Sequence, residues 1–249
     1  MPDFYDQLTP FYHLIHQDWN ASIARQGEQL SSIIHAAWPS SKKILDVSCG
    51  IGTQSIALAM QGYTVFASDL SEKEIERAKH EAQARKLEVS FSVCDMRNAY
   101  AHHGPGFDVV VSADNSIPHL LTDADILLAL KQMTACLSAG GGCLITVRDY
   151  AREERGKNLL KPYGVRVENG KRYLLFQVWD FEAEHYDLTF FFVEENLSTR
   201  EVKTHAMRSS YYAISTNRLC ELMQEAGLLN VRCFDGAFYQ PVLLGTKAA

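Results

Sequence analysis

Hydrophobic and polar positions in the first 150 residues alternate between short apolar runs and segments with helical spacing. The apolar runs predict five buried strands, at 43–47, 63–69, 89–93, 107–112 and 143–148. The helical spacing predicts helices at 12–38, 53–61, 71–86 and 123–137. Because strands that alternate with helices form βαβ units, this part of the chain is predicted to be an α/β domain with a parallel sheet.

The pattern changes beyond residue 172, where three alternating runs follow one another without helices between them, at 173–181, 186–193 and 200–207. Such runs predict an antiparallel meander. A helix at 215–226 and two strands, at 230–234 and 239–245, close the chain. The prediction is one Rossmann-like, doubly wound α/β domain, with a mostly parallel seven-stranded sheet and an inserted antiparallel β meander that acts as a lid. Its parts are a helical cap (1–40), a cofactor-binding core (41–150), the lid (151–210) and the closing helix and strands (211–249).

Composition and charge disfavour several classes of function. The 249 residues carry a net charge of −6, with no block of basic residues, which disfavours a nucleic-acid partner. No apolar stretch is long enough to span a bilayer and the amino terminus lacks a basic leader, so we expect a cytoplasmic protein that acts on a small molecule. The six cysteines form no C-x-x-C pair and are expected to be small buried apolar residues, so no metal site is predicted. The sequence does not determine whether the protein forms a homo-oligomer.

The first strand runs into the glycine loop Cys49-Gly50-Ile51-Gly52 and then into a helix. This arrangement is typical of a crevice for a nucleotide-like ligand. Asp46 lies four residues before Gly50, where a carboxylate would repel the pyrophosphate of NAD. The ammonium and sulfonium of S-adenosylmethionine would instead be favoured there. The alternative role of Asp46 is to cap the turn that follows the strand.

Two further acids follow strands. Asp69 closes the second strand, where a carboxylate can accept the ribose hydroxyls of either NAD or S-adenosylmethionine. Asp95 follows the third strand and can accept from an adenine amino group, while Met96 packs on the ring. Alternatively, these two residues are a turn acid and a core methionine.

The segment from Ile44 to Thr53 resembles the first motif of the class I S-adenosylmethionine-dependent methyltransferases, and Asp69-Leu70-Ser71 and Asp95-Met96 match the second and third. The resemblance implies that Asp46, Gly50 and Gly52 shape the methionine pocket, that Asp69 holds the ribose and that Asp95 and Met96 hold the adenine. Ser48 stands where the family has glycine or alanine. The predicted cofactor-binding set is Tyr12, Arg25, Asp46, Ser48, Gly50, Gly52, Asp69, Leu70, Asp95, Met96 and Ala113.

The segments after the fourth and fifth strands resemble the glycine N-methyltransferases in particular. The matching residues are Asn115-Ser116 with His119-Leu120, Arg148 with Tyr150, the Tyr211-Tyr212 pair, and Arg25, which matches the family's arginine on the cofactor carboxylate. The resemblance implies that Asn115 and Arg148 hold a glycine carboxylate. The predicted catalytic set is Asn115, His119, Arg148 and Tyr212.

Several roles stay open within these sets. Arg148 offers a planar fork for a carboxylate, or pairs with Asp149 or Asp114. His119 is expected to support the site more than to act as a base. Tyr12 lies near the transferred methyl group or only packs.

The predicted function is N-methylation of a small amino acid such as glycine or sarcosine. Methyl transfer from a sulfonium to an amine is an in-line displacement, which needs alignment and exclusion of water more than a dedicated base. The alternatives are a methyltransferase for an oxygen or a larger amine, a non-catalytic module that binds S-adenosylmethionine, and an NAD-dependent oxidoreductase, against which Asp46 argues.

Overall fold

Two β-sheets organise residues 2–249, the part of the chain that the computed structural model describes. The helices are α1 (Pro2–Leu8), α2 (Trp19–Ala37), α3 (Thr53–Met60), α4 (Glu72–Ala84), α5 (Ala99–His103), α6 (Asp123–Cys136) and α7 (Thr216–Glu225). The strands are β1 (Lys43–Asp46), β2 (Thr64–Asp69), β3 (Val89–Val93), β4 (Phe107–Ser112), β5 (Leu137–Thr146), β6 (Leu159–Glu168), β7 (Lys171–Glu182), β8 (His185–Asn196), β9 (Val202–Tyr212), β10 (Leu228–Phe234) and β11 (Val242–Lys247). Short 3-10 helices lie at Tyr12–Ile15, Met96–Asn98 and Ile117–His119.

The larger sheet has the strand order β10-β11-β5-β4-β1-β2-β3, in which β1 to β5 run parallel and β11 is antiparallel to both of its neighbours. Successive side chains of β1 enter different cores, since Ile44 belongs to one apolar cluster and Leu45 to another. A sheet that is buried on both faces needs helices on both faces, which explains the nearly continuous apolar runs of its strands. The predicted doubly wound α/β fold is confirmed.

The smaller sheet is antiparallel, with the order β6-β7-β8-β9. The sequence predicted only three of its strands. It missed β6, an edge strand interrupted at Pro162 and Gly164, where its register with β7 shifts. Proline and glycine at an edge bulge hide the period-two pattern on which strand prediction depends.

The predicted helix over 12–38 is wrong in its first turns. The chain forms a 3-10 turn at Tyr12–Ile15, and α2 begins only after Asp18, whose carboxylate accepts a hydrogen bond from the Ala21 N–H. Helix α1, which the sequence did not predict, packs against both α4 and β9 and so joins the two sheet systems.

The structure differs from the sequence predictions in three smaller ways. Strand β5 begins at Leu137 instead of 143, because Gly140 to Gly142 continue the strand and leave room for the Trp38 ring over Gly142. Helix α5 was not predicted. Four cysteines are buried, but Cys220 is half-buried and Cys233 is exposed.

None of the helices described between residues 2 and 249 is long and apolar enough to cross a membrane. The cytoplasmic location, the homo-oligomer and the role of the meander as a lid stay predictions.

Candidate active site

Three adjoining cavities lie at the carboxyl ends of the parallel strands. The loop cavity, of about 300 Å³, is bounded by the glycine loop, the end of β2 and the segment after β3. The tyrosine cavity, of about 80 Å³, lies between β4, β5 and the smaller sheet, and the arginine cavity, of about 470 Å³, lies beside it. Tyr5 and Tyr12 line both the loop and tyrosine cavities, and Asp114, Arg148 and Tyr163 line both the tyrosine and arginine cavities.

The glycine loop forms one wall of the loop cavity. Gly50 has a φ of +53°, and its N–H donates to Asp69 Oδ2 at 2.9 Å. A Cβ atom at this position would lie 3.2 Å from the Tyr12 ring, so glycine keeps the cleft between them open. Gly52 lines none of the three cavities. It caps α3 with a φ of +91°, and a Cβ there would meet Ile56 and Ala78.

Asp46 is buried behind the loop and lines none of the three cavities. Its carboxylate accepts from Ser55 Oγ at 2.7 Å and from the Ser48 N–H at 3.2 Å. Burial raises the pKa of Asp46 to about 6, in opposition to these two hydrogen bonds. These contacts match the turn-capping role, and the negative charge behind the glycine loop is also suited to a cationic ligand in front of it.

The two other acids line the loop cavity. Asp69 accepts from the N–H groups of Gly50 and Ser71, and burial raises its pKa. Asp95 is held by Arg97, with 2.6 Å between Oδ2 and Nη2, and Arg97 also reaches Asp125 at 3.0 Å. Burial opposes ionisation of Asp95, but its hydrogen bonds with Arg97 lower its pKa overall.

The turn after β4 has a strained backbone. Asp114 and Asn115 are consecutive residues with φ values of +59° and +65°. Two hydrogen bonds to Thr146 hold this left-handed turn: Asp114 N–H donates to its Oγ1 and Asn115 N–H to its carbonyl oxygen. Such strain costs of order 1–3 kcal/mol a residue and is concentrated at functional sites. Here it turns the Asn115 side chain into the tyrosine cavity.

Asn115 also joins the ends of β4 and β5. Its Oδ1 accepts from the Arg148 N–H at 3.0 Å, and its Nδ2 donates to Tyr150 Oη at 2.8 Å. Tyr150 Oη lies 3.1 Å from Tyr186 Oη of β8. The wall of the tyrosine cavity is therefore one connected set of polar groups that spans both sheets.

Arg148 reaches the tyrosine and arginine cavities from the end of β5. Its guanidinium lies 4.6 Å from the centre of the Trp179 ring and 3.3 Å from Glu153, which in turn pairs with Lys161 at 2.8 Å. Neither Asp149 nor Asp114, the partners considered from sequence, is its ion-pair partner among the described residues. The Nε of Arg148 is buried and has no hydrogen-bond partner within the described protein. A guanidinium with an unused donor can receive the carboxylate of a ligand.

His119 acts on the site through a neighbour. Its Nε2 lies 2.5 Å from the hydroxyl of Tyr5, and its ring packs at 4.0 Å on Tyr211. Burial lowers the pKa of His119 to about 3, so the imidazole is neutral at pH 7 and a weak base. It therefore positions Tyr5 and Tyr211, two of the tyrosines that line the tyrosine cavity.

Tyr212 requires a correction. Its hydroxyl donates to Asp123 at 3.0 Å, away from all three cavities, whereas Tyr211 lines the tyrosine cavity. Successive side chains of a strand point to opposite faces, so only one member of the pair can face the cavity. The sequence motif located the pair but did not determine which face of β9 is inward.

The predicted residues therefore fall into four groups. The loop cavity is lined by Tyr12, Ser48, Gly50, Asp69, Leu70, Asp95, Met96 and His119; the tyrosine cavity by Tyr12, Asn115 and Arg148; the arginine cavity by Arg25 and Arg148. Asp46, Gly52, Ala113 and Tyr212 line none of them.

Several residues outside the predicted set line these cavities, among them Tyr5, Glu74, Tyr163, Gln177, Tyr186 and Tyr211. Tyr5 and Tyr163 belong to α1 and β6, which were not predicted. The spacing of Ser71 and Glu74 in the sequence indicates only a capping box at the start of a helix. Gln177 and Tyr186 lie on meander strands whose inward face could not be assigned without the sheet.

The loop cavity fits S-adenosylmethionine. Gly50 leaves a cleft that a Cβ would fill, Asp69 presents a buried carboxylate for ribose hydroxyls, and Met96 and Leu120 supply apolar surface for a purine. Arg25 lines the arginine cavity, where it can pair with the carboxylate of a methionine chain.

Comparisons with known proteins also indicate a methyltransferase. A methyltransferase domain model matches residues 44–141. The chain is 30% identical over 156 residues to the glycine/sarcosine N-methyltransferase of Parasynechococcus marenigrum (strain WH8102), which covers 62% of the chain and 54% of that relative. It is 33% identical over 119 residues to the glycine N-methyltransferase of Mus musculus, covering 43% and 41%. The chain spans about half the length of the curated relatives that it matches.

Among solved structures, the S-adenosylmethionine-bound amino pentose methyltransferase CalS10 of Micromonospora echinaspora superposes with a TM-score of 0.79 at 17% identity, covering 91% and 92% of the two chains.

Proposed function

Because residues 44–141 of this chain are a methyltransferase domain, we propose that the protein transfers the methyl group of S-adenosylmethionine to the amine of a small amino acid such as glycine or sarcosine. The observation that carries this proposal is the tyrosine cavity, in which Arg148 and Asn115 face a small space closed by aromatic side chains. It lies between the cavity suited to a nucleoside and the cavity that contains Arg25.

The size of the tyrosine cavity supports a small acceptor. At about 80 Å³, it has room for roughly two to three water molecules, each of which takes about 30 Å³. Glycine is of this size. The relatives that are glycine N-methyltransferases point to the same substrate class.

The residues of the cavity supply binding and alignment. The unpaired Nε of Arg148 can donate to the acceptor's carboxylate, and the Asn115 amide fixes the Arg148 backbone. Tyr5, Tyr12 and Tyr211 are buried phenols whose pKa values burial raises, so they stay neutral at pH 7 and can orient an amine by hydrogen bonds. When bound, S-adenosylmethionine supplies a methyl group that is already activated by the positive sulfonium. The protein's contribution is alignment and exclusion of water.

The smaller sheet covers this arrangement from one side. Tyr163, Tyr186 and Phe190 line the tyrosine cavity from β6 and β8, and Trp179 of β7 packs on Arg148. We propose that the sheet is a lid, as the sequence predicted. Hydrogen exchange in β7 and β8 should then slow when cofactor and acceptor bind together, and unchanged protection would assign the sheet to the scaffold alone.

A panel of acceptors tests the substrate proposal. Formation of S-adenosylhomocysteine should be measured with glycine, sarcosine, alanine, valine and an amino pentose at equal concentrations. We expect turnover with glycine or sarcosine, and a decrease in kcat/KM as the side chain grows, because the tyrosine cavity cannot accept a larger group without moving its rings. Equal turnover of glycine and valine would refute the size argument.

One observation favours a second candidate, an amine on a larger acceptor. The arginine cavity, of about 470 Å³, adjoins the tyrosine cavity and presents the carboxylates of Asp114, Asp149 and Glu153. Carboxylates suit a cationic amine, and the superposed CalS10 is an amino pentose methyltransferase. Turnover of the amino pentose without turnover of glycine would select this candidate and leave the methyltransferase proposal intact.

A further inference from the structure

Glu74 is a buried carboxyl group that faces the loop cavity without a partner. It lies in the first turn of α4 and is 0% exposed. Neither of its carboxyl oxygens has a hydrogen-bond partner among the described residues, and the residue lines the loop cavity. Burying an unpaired polar group costs free energy, so this group requires an explanation.

Helix capping does not supply that explanation. In a reciprocal capping box, the carboxylate at this position would accept from the Ser71 N–H. Here the Ser71 N–H donates to Asp69 instead, and only the Ser71 hydroxyl accepts from the Glu74 N–H. The carboxyl group of Glu74 is thereby left free to face the cavity.

The position of Glu74 is close to that of Asp69. Gly50 donates its N–H to Asp69 Oδ2, and a Cβ built on the same Gly50 lies 3.5 Å from Glu74 Oε2. Both carboxyl groups therefore border the same short stretch of the glycine loop. A hydroxyl group that approaches Asp69 in this cleft also approaches Glu74.

We propose that Glu74 is a second nucleoside-binding residue, whose neutral carboxyl group shares the ribose hydroxyls of the bound cofactor with Asp69. This inference rests on the proposed function, since it assumes that the loop cavity binds the nucleoside. In this arrangement, ionised Asp69 accepts from one hydroxyl and the Glu74 carboxyl donates to a hydroxyl oxygen. The buried hydroxyl of the Glu74 carboxyl group then has a hydrogen-bond partner.

The surroundings of Glu74 explain why it is the neutral member of the pair. The ionisable groups that face it are Asp69 at the end of β2, Asp6 and Tyr5 of α1, Tyr12 of the first 3-10 helix and Cys49 of the glycine loop. All of them are acids. On α4 itself, Lys73 lies 3.9 Å from Asp6 and makes no ion pair with Glu74.

Burial, followed by the charges of Asp69 and Asp6, raises the pKa of Glu74 well above its usual range. The amino end of α4 favours the ionised form, but a helix dipole stabilises a carboxylate by less than the burial of an unpaired carboxylate costs. Asp69 differs from Glu74 because two N–H groups stabilise its ionised form.

Two substitutions of Glu74 test the proposal. Glu74→Gln keeps the shape and the neutral hydrogen-bonding capacity, whereas Glu74→Met fills the space without a hydrogen bond. Glu72→Gln is the matched control, since it removes a carboxylate from the same turn of α4 at an exposed position. The measurements are the Kd of S-adenosylhomocysteine by calorimetry from pH 6 to pH 8 and the melting temperature without ligand.

Glu74→Met should weaken S-adenosylhomocysteine binding roughly three- to tenfold, the effect of one hydrogen bond, and should raise the melting temperature of the free protein. Glu74→Gln should bind within about twofold of the wild type at pH 6. Any loss of wild-type affinity as the pH rises should be absent from this variant, because only the wild type must retain the Glu74 proton to bind. Glu72→Gln should match the wild type in Kd and pH profile.

Three results would overturn the proposal. Wild-type affinity in Glu74→Met would show that the carboxyl group does not touch the ligand. A lower melting temperature in both Glu74 variants, with unchanged Kd, would assign Glu74 to the stability of α4. Much weaker binding by Glu74→Gln at pH 6 would show that the ionised form is needed. Failure of the wild type to bind S-adenosylhomocysteine at all would instead reject the proposed function, and the inference with it.

Discussion

Replacing Arg148 with lysine separates substrate binding from cofactor binding. The substitution keeps the positive charge at the end of β5 but removes the planar fork and its buried, unpaired Nε. If the acceptor's carboxylate binds there, its charge-assisted hydrogen bond is lost. We expect kcat/KM for glycine or sarcosine to fall, with a much smaller change in the Kd of S-adenosylhomocysteine.

The contacts of Arg148 determine how far kcat/KM should fall in the lysine variant. A charge-assisted hydrogen bond is worth about 1.5–3 kcal/mol, or roughly ten- to hundredfold in kcat/KM. The Glu153 ion pair is long, at 3.3 Å, and Arg148 is 29% exposed, so its loss adds little. Loss of the contact with Trp179 costs about 0.5–2 kcal/mol, but this appears in stability instead of catalysis.

The assay compares three proteins at saturating S-adenosylmethionine with varied acceptor. Arg152→Lys is the control, because Arg152 also lines the arginine cavity but pairs with Asp149 and Asp235 at the surface. It should retain nearly full kcat/KM. A collapse of S-adenosylhomocysteine binding in Arg148→Lys would place Arg148 at the cofactor's methionine end. Unchanged kcat/KM would refute a carboxylate-binding role.

Three further expectations follow from the contacts. Tyr211→Phe should reduce kcat/KM several-fold, whereas Tyr212→Phe should leave it unchanged and cost about 1 kcal/mol of stability, since it loses only the bond to Asp123; equal effects on activity would contradict the assigned faces of β9. Because burial lowers the pKa of His119 from 6.5 to about 3, the unfolded chain binds this proton more tightly and stability falls as pH drops through this window, by about 1.4 kcal/mol per unit. Urea unfolding of His119→Asn at pH 5 and pH 7.5 should show a smaller pH dependence than the wild type. Burial raises the pKa of Asp46 from 3.8 to about 6, so the stability that the protonated carboxyl group contributes is present below pH 3.8 and is lost as the pH rises through 6. Asp46→Asn should therefore raise the melting temperature at pH 7. A lower melting temperature in this variant would show that the two hydrogen bonds of Asp46 outweigh the cost of its burial.

The parallel part of the fold could be predicted because its signals are local. Strands β1 and β4 are buried on both faces and therefore appear as continuous apolar runs. Asp69 and Gly50 line the same cavity because the carboxyl ends of neighbouring parallel strands meet at one edge of the sheet, and this proximity could be predicted from the order of the strands.

The features that the sequence did not predict depend on contacts between residues that are far apart in the chain. Helix α1 has few residues and is held by α4 and β9, so its own sequence gives little helical signal. The choice between Tyr211 and Tyr212 depends on which face of β9 meets the core, which is a property of the whole sheet. The isolation of the Glu74 carboxyl depends on Asp69 taking the Ser71 N–H, a contact that no spacing rule reveals.

The pairing of β5 with β11 has a consequence for synthesis of the protein. Strand β5 lies inside the large sheet, but its partner β11 is made only after the whole four-stranded sheet and α7. Until then, a nascent chain presents the backbone edge of β5, from Leu144 to Thr146, unpaired and flanked by apolar side chains. Exposed apolar edges are sites of aggregation. Chains that stop before Val242 should therefore accumulate as insoluble material, whatever the state of their binding loops.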